Sequence, residues 1–146
     1  MEHTFNLREF EINDYAAVIE LWSFSGLPYR PKGRDRKEKN AKELNNGTAI
    51  FLVAEIKNRI VGVIFGTHDG RKGWVNRLAV HPDFKCKGIA KALVADVEKR
   101  LLEAGVEIIT CLIENDNIAS QAVFRKLGFK AWEDITYFSK RMNPDV

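Results

Sequence analysis

Chemistry in this sequence concentrates between Leu78 and Ala90, where the chain reads LAVHPDFKCKGIA. An apolar strand passes through a short loop directly into an amphipathic helix, and Lys85, Lys87 and Lys91 flank the junction. Such a junction gathers unpaired backbone N–H groups at the positive end of a helix dipole. Gly88 and the small Ala90 let a phosphate come close to the main chain, and the lysines supply charge around it. The chemistry implied is anion binding. A Gly-x-x-x-x-Gly-Lys-Ser/Thr loop is absent, and so is Gly-x-Gly-x-x-Gly, which sets aside the common nucleoside-triphosphate and dinucleotide loops. On these residues alone, a surface turn with solvated lysines stays open.

A second concentration of charge runs from Arg30 to Lys42, with seven Lys/Arg against two Asp/Glu. That segment carries +5 of a chain whose net charge is +3, so the remainder is −2 and the basicity is local. A single loop and its partner are implied rather than a basic face. Nucleic acid is an unsuitable partner, because only Tyr29 interleaves an aromatic ring with these charges and the overall charge is small. Cys86 and Cys111 offer neither a disulfide framework nor metal-ligand spacing, so two free thiols and no metal are expected.

The elements that must position these residues follow from periodicity. Thr4 to Phe10 alternates as a strand; Asn13 and Asp14 can cap a helix that carries Ala17, Val18, Leu21 and Trp22 at helical spacing. Ser25-Gly26-Leu27-Pro28 and Pro31-Lys32-Gly33 break it, and a polar second helix spans Arg36 to Leu44. Ala49 to Glu55 and Ile60 to Thr67 form a hairpin, and Trp74 to Val80 a further strand that Pro82 stops. From Ile89 the positions Ala90, Leu93, Val94, Val97 and Leu101 give the clearest helix, with Gly105 as its left-handed stop. Val106 to Ile113 is a strand, Asn117 caps a short helix ending at Gly128, and Phe129 to Trp132 and Tyr137 to Met142 close the chain as strands. The order βααβββαβαββ, over residues 1–146, describes one α+β domain. Its size suits a single core, which buries about two thirds of the unfolded surface. Apolar residues at 45% and charged residues at 29% describe a globular chain. No apolar run nears the roughly 18 residues of a membrane span, and the start Met1-Glu2-His3-Thr4 lacks a signal peptide's regions, so no membrane partner and a cytoplasmic location are expected.

With that order in place, the chain resembles the GNAT superfamily of acetyl-CoA-dependent N-acetyltransferases. The family's strand, bulge and Gln/Arg-x-x-Gly-x-Gly/Ala loop fall on Leu78 to Ala90, and its Asn-containing last helix ending in Leu-Gly-Phe falls on Asn117 to Phe129. The resemblance implies a mixed, mostly antiparallel sheet whose fourth and fifth strands run parallel and splay to admit coenzyme A. Leu78, Ala79 and Val80 would pair with its pantetheine arm, and a main-chain N–H among them would face the thioester oxygen. Lys85, Cys86, Lys87, Gly88, Ile89 and Ala90 would hold its pyrophosphate. Asn117 and Phe124 would border the arm. The acceptor is an amine, either a small molecule (polyamine, aminoglycoside, amino acid) or a protein N-terminus or lysine, and a homodimer stays open. Tyr29, Arg30 and Arg34 lie in the connection between the first two helices, which commonly shapes the acceptor site in this family.

An amine resembling lysine has a pKa of about 10.4 and must lose a proton before it attacks. Glu114 and Asp116, just after the fifth strand, are the candidate bases, with Glu55 at the end of the second strand behind them. The pattern departs from the family at several places. Lys85 stands for the usual Gln or Arg, and Cys86 for the common Gly, which implies an altered loop shape. Asn76 and Arg77 occupy strand four where a carboxylate is used elsewhere in the family, and Phe124 occupies the position of the tyrosine acid, with Tyr137 and Tyr29 as substitutes. Those losses support a second reading, a catalytically weak acyl-CoA-binding sensor or interaction module.

Overall fold

The computed structural model describes residues 4–26 and 29–145; Met1 to His3, Leu27 and Pro28 of the helix-breaking loop, and Val146 lie outside them. The elements are β1 (Asn6–Glu9), α1 (Tyr15–Phe24), α2 (Lys37–Leu44), β2 (Ala49–Ile56), β3 (Arg59–His68), β4 (Lys72–Val80), α3 (Ile89–Glu103), β5 (Ile108–Cys111) and α4 (Ile118–Lys126). The strands form one sheet in the order β1-β2-β3-β4-β5. The first three pairings are antiparallel, and β4 with β5 is parallel, from Lys72 opposite Ile108 to Val75 opposite Cys111. The β2–β3 turn places Lys57 and Asn58 at φ of 50° and 64°, the left-handed pair that suits a two-residue hairpin.

Each face of the sheet carries its own core. On one side α3 seats Ile89, Leu93, Val97 and Leu101, spaced four residues apart and at most 1% exposed, over Leu52, Ala54 and Ile64. Each such aliphatic side chain contributes about 1.5–3 kcal/mol. Glycines let the helix lie this close: a Cβ at Gly62 would stand 2.9 Å from Ile89, one at Gly66 3.0 Å from Val97, and one at Gly73 3.0 Å from Leu101. On the opposite face Trp22 and Leu21 of α1 close over Phe51, Val53 and Phe65, with the Phe51 and Phe65 rings stacked at 3.8 Å.

A bulge in β4 makes the two faces unequal. Phe65 pairs with Arg77 but Gly66 with Val75, so Asn76 is an extra residue. Because a strand alternates faces, the insertion sends Val75 to the α3 core and turns Arg77 toward α1.

The closing strands are a correction to the expected order. Among the described residues the chain ends as βααβββαβα, and neither Phe129 to Trp132 nor Tyr137 to Met142 forms a strand. Trp132, Ile135, Tyr137, Phe138 and Met142 are 62–87% exposed, so this segment has the alternation of a strand without a neighbour to complete its ladder. The α+β class and the parallel β4–β5 pair stand.

Candidate active site

The ladder between β4 and β5 stops at Val75 and Cys111, while β4 continues to Val80 along β3. From Asn76 onward the backbone edge of β4 that faced β5 therefore opens into a gap. Ala79 is buried toward α1, whereas Leu78 and Val80 lean on the α3 core, and this anchorage holds the edge in place. Cys111, at the last pair, is a half-buried thiol that burial pushes up to about 11.

His81 carries the chain from β4 into the loop. Its N–H donates to the Val61 carbonyl at 2.8 Å, and its Nδ1 accepts from the Asp83 amide at 3.1 Å. The ring is 8% exposed and packs beside Phe24 and Phe84. Beyond the Pro82–Phe84 turn, Cys86 adopts φ of 65° and Gly88 φ of 81°. The left-handed region costs a residue with a Cβ roughly 1–2 kcal/mol, so Cys86 is held in a shape that glycine adopts freely. The N-cap carbonyl of Gly88 accepts from the Ala92 amide at 3.0 Å, which leaves the earlier amides of α3 at the helix mouth. Lys85, Cys86, Lys87 and Gly88 are exposed, Ile89 is buried as the anchor, and nothing lies within 4 Å of a Cβ built on Gly88. An open, cationic, left-handed loop at a helix start fits a pyrophosphate.

Past β5, Glu114 and Asp116 are exposed on the turn into α4. The Glu114 carbonyl accepts from the Asn117 amide at 3.0 Å and from the Gln121 side chain at 3.1 Å. The Asn117 side-chain oxygen caps α4 by accepting from the Ser120 amide at 3.1 Å. Phe124 is 7% exposed in the α3 core, edge-on to Phe129 at 5.1 Å. Tyr137 is 62% exposed, and the Tyr29 hydroxyl meets Ser23 at 3.0 Å. Glu55 is set aside as a base: its carboxylate accepts from Arg8 at 2.7 Å, and Arg8 also donates twice to Asp14. The Arg8 guanidinium holds the Asp14 carboxyl below its ordinary range. A hollow of about 390 Å³ adjoins this network between α1 and the β2–β3 turn, and Phe24 and His81 also line it.

On the α1 face, the connection that carries Tyr29, Arg30 and Arg34 is pinned by a residue that the sequence hid inside a basic run. Asp35 is 7% exposed, and its Oδ2 accepts from the Arg30 amide at 2.6 Å and from Arg77 Nη2 at 3.0 Å. The Tyr15 hydroxyl donates to the Asp35 carbonyl at 2.7 Å. The Arg77 guanidinium lies 5.6 Å from the Trp22 ring centre. The fold thus brings the predicted acceptor loop to β4 one residue before Leu78. It places Glu114 and Asp116 on a separate, exposed turn.

A family model described as the acetyltransferase (GNAT) family matches residues 15–129. The acetyltransferase ECA0875 of Pectobacterium atrosepticum is 37% identical over 139 residues, covering 95% of this chain and 96% of that one. The acetyltransferase SG1711 of Sodalis glossinidius is 34% identical over the same length and the same shares. Among solved structures, the PaiA N-acetyltransferase of Thermoplasma acidophilum in complex with coenzyme A superposes with a TM-score of 0.74 at 22% identity, covering 87% of this chain and 90% of that one. AAC(6')-Iy in complex with the bisubstrate analogue CoA-S-monomethyl-acetylneamine gives a TM-score of 0.78 at 19% identity, covering 94% and 99%.

Proposed function

The chain belongs to the GNAT family of acetyl-CoA-dependent acetyltransferases, and we propose that it transfers the acetyl group to a primary amine by direct attack within a ternary complex. The observation that carries the reading is the left-handed Cys86–Gly88 loop opening α3 beside the unpaired end of β4. In this reading the amides from Lys85 to Ala90 bind the pyrophosphate, with Lys85, Lys87 and Lys91 as counter-charge. The backbone of Leu78 to Val80 orients the pantetheine arm, and one of its N–H groups faces the thioester oxygen. Asn117 and Phe124 border the arm from α4.

The amine lone pair forms the new C–N bond, the C–S bond breaks with its electrons on sulfur, and the amine proton passes to a base. Glu114, with Asp116 beside it, serves as that base through solvent, which their exposure after β5 supports. Phe124 cannot return a proton, and a thiolate whose conjugate acid has a pKa of about 8.5 leaves without that help.

Purified protein screened for CoA release against polyamines, aminoglycosides, amino acids and peptides tests the reading. Amine-dependent release is the expected outcome. Acetyl-CoA binding without release from any amine would establish instead the sensor reading, which the buried Phe124 favours.

A further inference from the structure

Guanidinium groups outnumber carboxylates where the acceptor connection meets β4. Asp35 Oδ2 receives Arg77 Nη2 at 3.0 Å and the Arg30 amide at 2.6 Å, and lies 3.8 Å from Arg34 Nε. One buried carboxylate therefore faces two guanidinium groups, with the Arg30 side chain exposed beside them. The Arg77 side chain is 15% exposed, and its Nε is buried with no acceptor. Burial, and after it the charge of Arg77, holds the Arg34 pKa below the ordinary arginine value; Arg141 and Arg30 act in the same direction, and Asp35 opposes them. Of the remaining acids nearby, Glu43 interacts with both Lys39 and Asp35, and Asp145, whose backbone crosses Gly33, lines a small hollow with Tyr29, Arg30 and Lys32.

We propose that Arg34 and Arg77 form a carboxylate-reading subsite, so that the acceptor is a small amine that carries its own carboxylate, an amino acid or a close relative of one. The assignment rests on the amine-acetyltransferase reading above and adds to it the substrate class. Three features carry it. The bulge at Asn76 aims Arg77 at the acceptor face one residue before Leu78, so the subsite adjoins the edge assigned to the thioester. Guanidinium forks match a carboxylate with two parallel charge-assisted bonds, and a partly desolvated setting strengthens them. Asp35 and one long bond of 3.4 Å from Arg77 Nη1 to the Asn76 carbonyl satisfy only part of the donor set, so an incoming carboxylate finds donors on the two guanidinium groups. The same charges repel polycationic acceptors such as polyamines and aminoglycosides.

The test compares each common amino acid with its α-amide as acceptor, with spermidine and neamine as polycationic controls. The acids should show a Michaelis constant about 10-fold or more below that of their amides, as the loss of charged hydrogen bonds predicts. Arg34→Gln should remove most of that difference while the constant for acetyl-CoA stays unchanged, and Arg34→Lys should restore part of it. Arg34 is exposed, so its variants fold even if Arg77→Met does not. Calorimetric titration of N-acetylated amino acids into the CoA-bound protein reads the subsite without turnover, so it decides the point even if no amine is acetylated. Amides or polycations preferred over acids, or N-acetyl amino acids that bind no better to the parent than to Arg34→Gln, would overturn the subsite and leave the acetyltransferase reading intact.

Discussion

Phe124 sits at 7% exposure in the α3 core against Phe129, at the position where the family resemblance expects an acid. Adding a hydroxyl there by Phe124→Tyr should leave the acetyl-transfer step similar or modestly faster, because a thiolate needs little help. The same change should lower stability by about 1–3 kcal/mol if the new O–H finds no partner. Phe124→Leu should weaken acetyl-CoA binding more than chemistry. Pre-steady-state rates and thermal melts of both variants check this; a large loss of the transfer step in the tyrosine variant with binding intact would move the acid position elsewhere. The two thiols give a second test. Cys86 is exposed in the loop that opens α3, and Cys111 is buried enough to raise its pKa to about 11. Iodoacetamide at neutral pH should modify Cys86 first, and acetyl-CoA should protect it; equal labelling with and without acetyl-CoA would exclude the loop from the binding site. Since the Cys111 pKa is raised in the fold, its contribution to stability is complete below the ordinary thiol value and fades as pH climbs through about 11. The place of Gly88 at the start of α3 with exposed lysines beside it was legible, because a glycine between a strand and an amphipathic helix marks the turn. Arg77 and Asp35 were not: the bulge that redirects Arg77 leaves no periodicity signal, and Asp35 is hidden among seven lysines and arginines that a charge count treats as solvated.

At the scale of elements, α3 and the β2–β3–β4 meander were readable because apolar spacing persists over several turns or alternations. The glycines on β3 and β4 are the part that periodicity leaves unexplained, and the structure gives their reason in the close seat of α3. Gly62 lies under Ile89, the residue that begins α3 just after the loop. Gly62→Val should therefore do two things together: destabilise by about 1–3 kcal/mol through overpacking, and weaken acetyl-CoA binding by tilting the helix mouth. Gly70→Val supplies the contrast, because its Cβ would meet nothing within 4 Å, and its cost is the local one of φ at 84°. Denaturant titration with calorimetry on both variants separates them. If Gly62→Val loses stability but keeps parental affinity, the seat of α3 does not position the loop. The final strands were misread for the same physical reason that the others succeeded: alternation reports a chain able to form a strand, while the ladder itself needs a neighbour that no local pattern specifies.

That missing neighbour is a property of the whole molecule. β5 is four residues long and stands at the sheet edge, with Ile108 62% and Leu112 56% exposed. The segment from Trp132 to Met142 adds five more exposed apolar side chains, among them Phe138 at 87%. An open edge and an apolar segment able to pair with it both favour association, since each leaves unsatisfied surface in a lone copy. We predict that a homodimer covers both at once, with Ile135 to Met142 of each copy along β5 of the other. Light scattering at micromolar concentration should then give twice the chain mass, and Tyr137→Glu with Phe138→Glu should reduce it to one. Acetyl-CoA affinity should survive in that monomer, because the loop from Lys85 to Ala90 is anchored by Ile89 and His81 within one chain. A parent protein that scatters as a monomer, with residues 135–142 protected from proteolysis, would instead place the segment on its own β5 and remove the dimer.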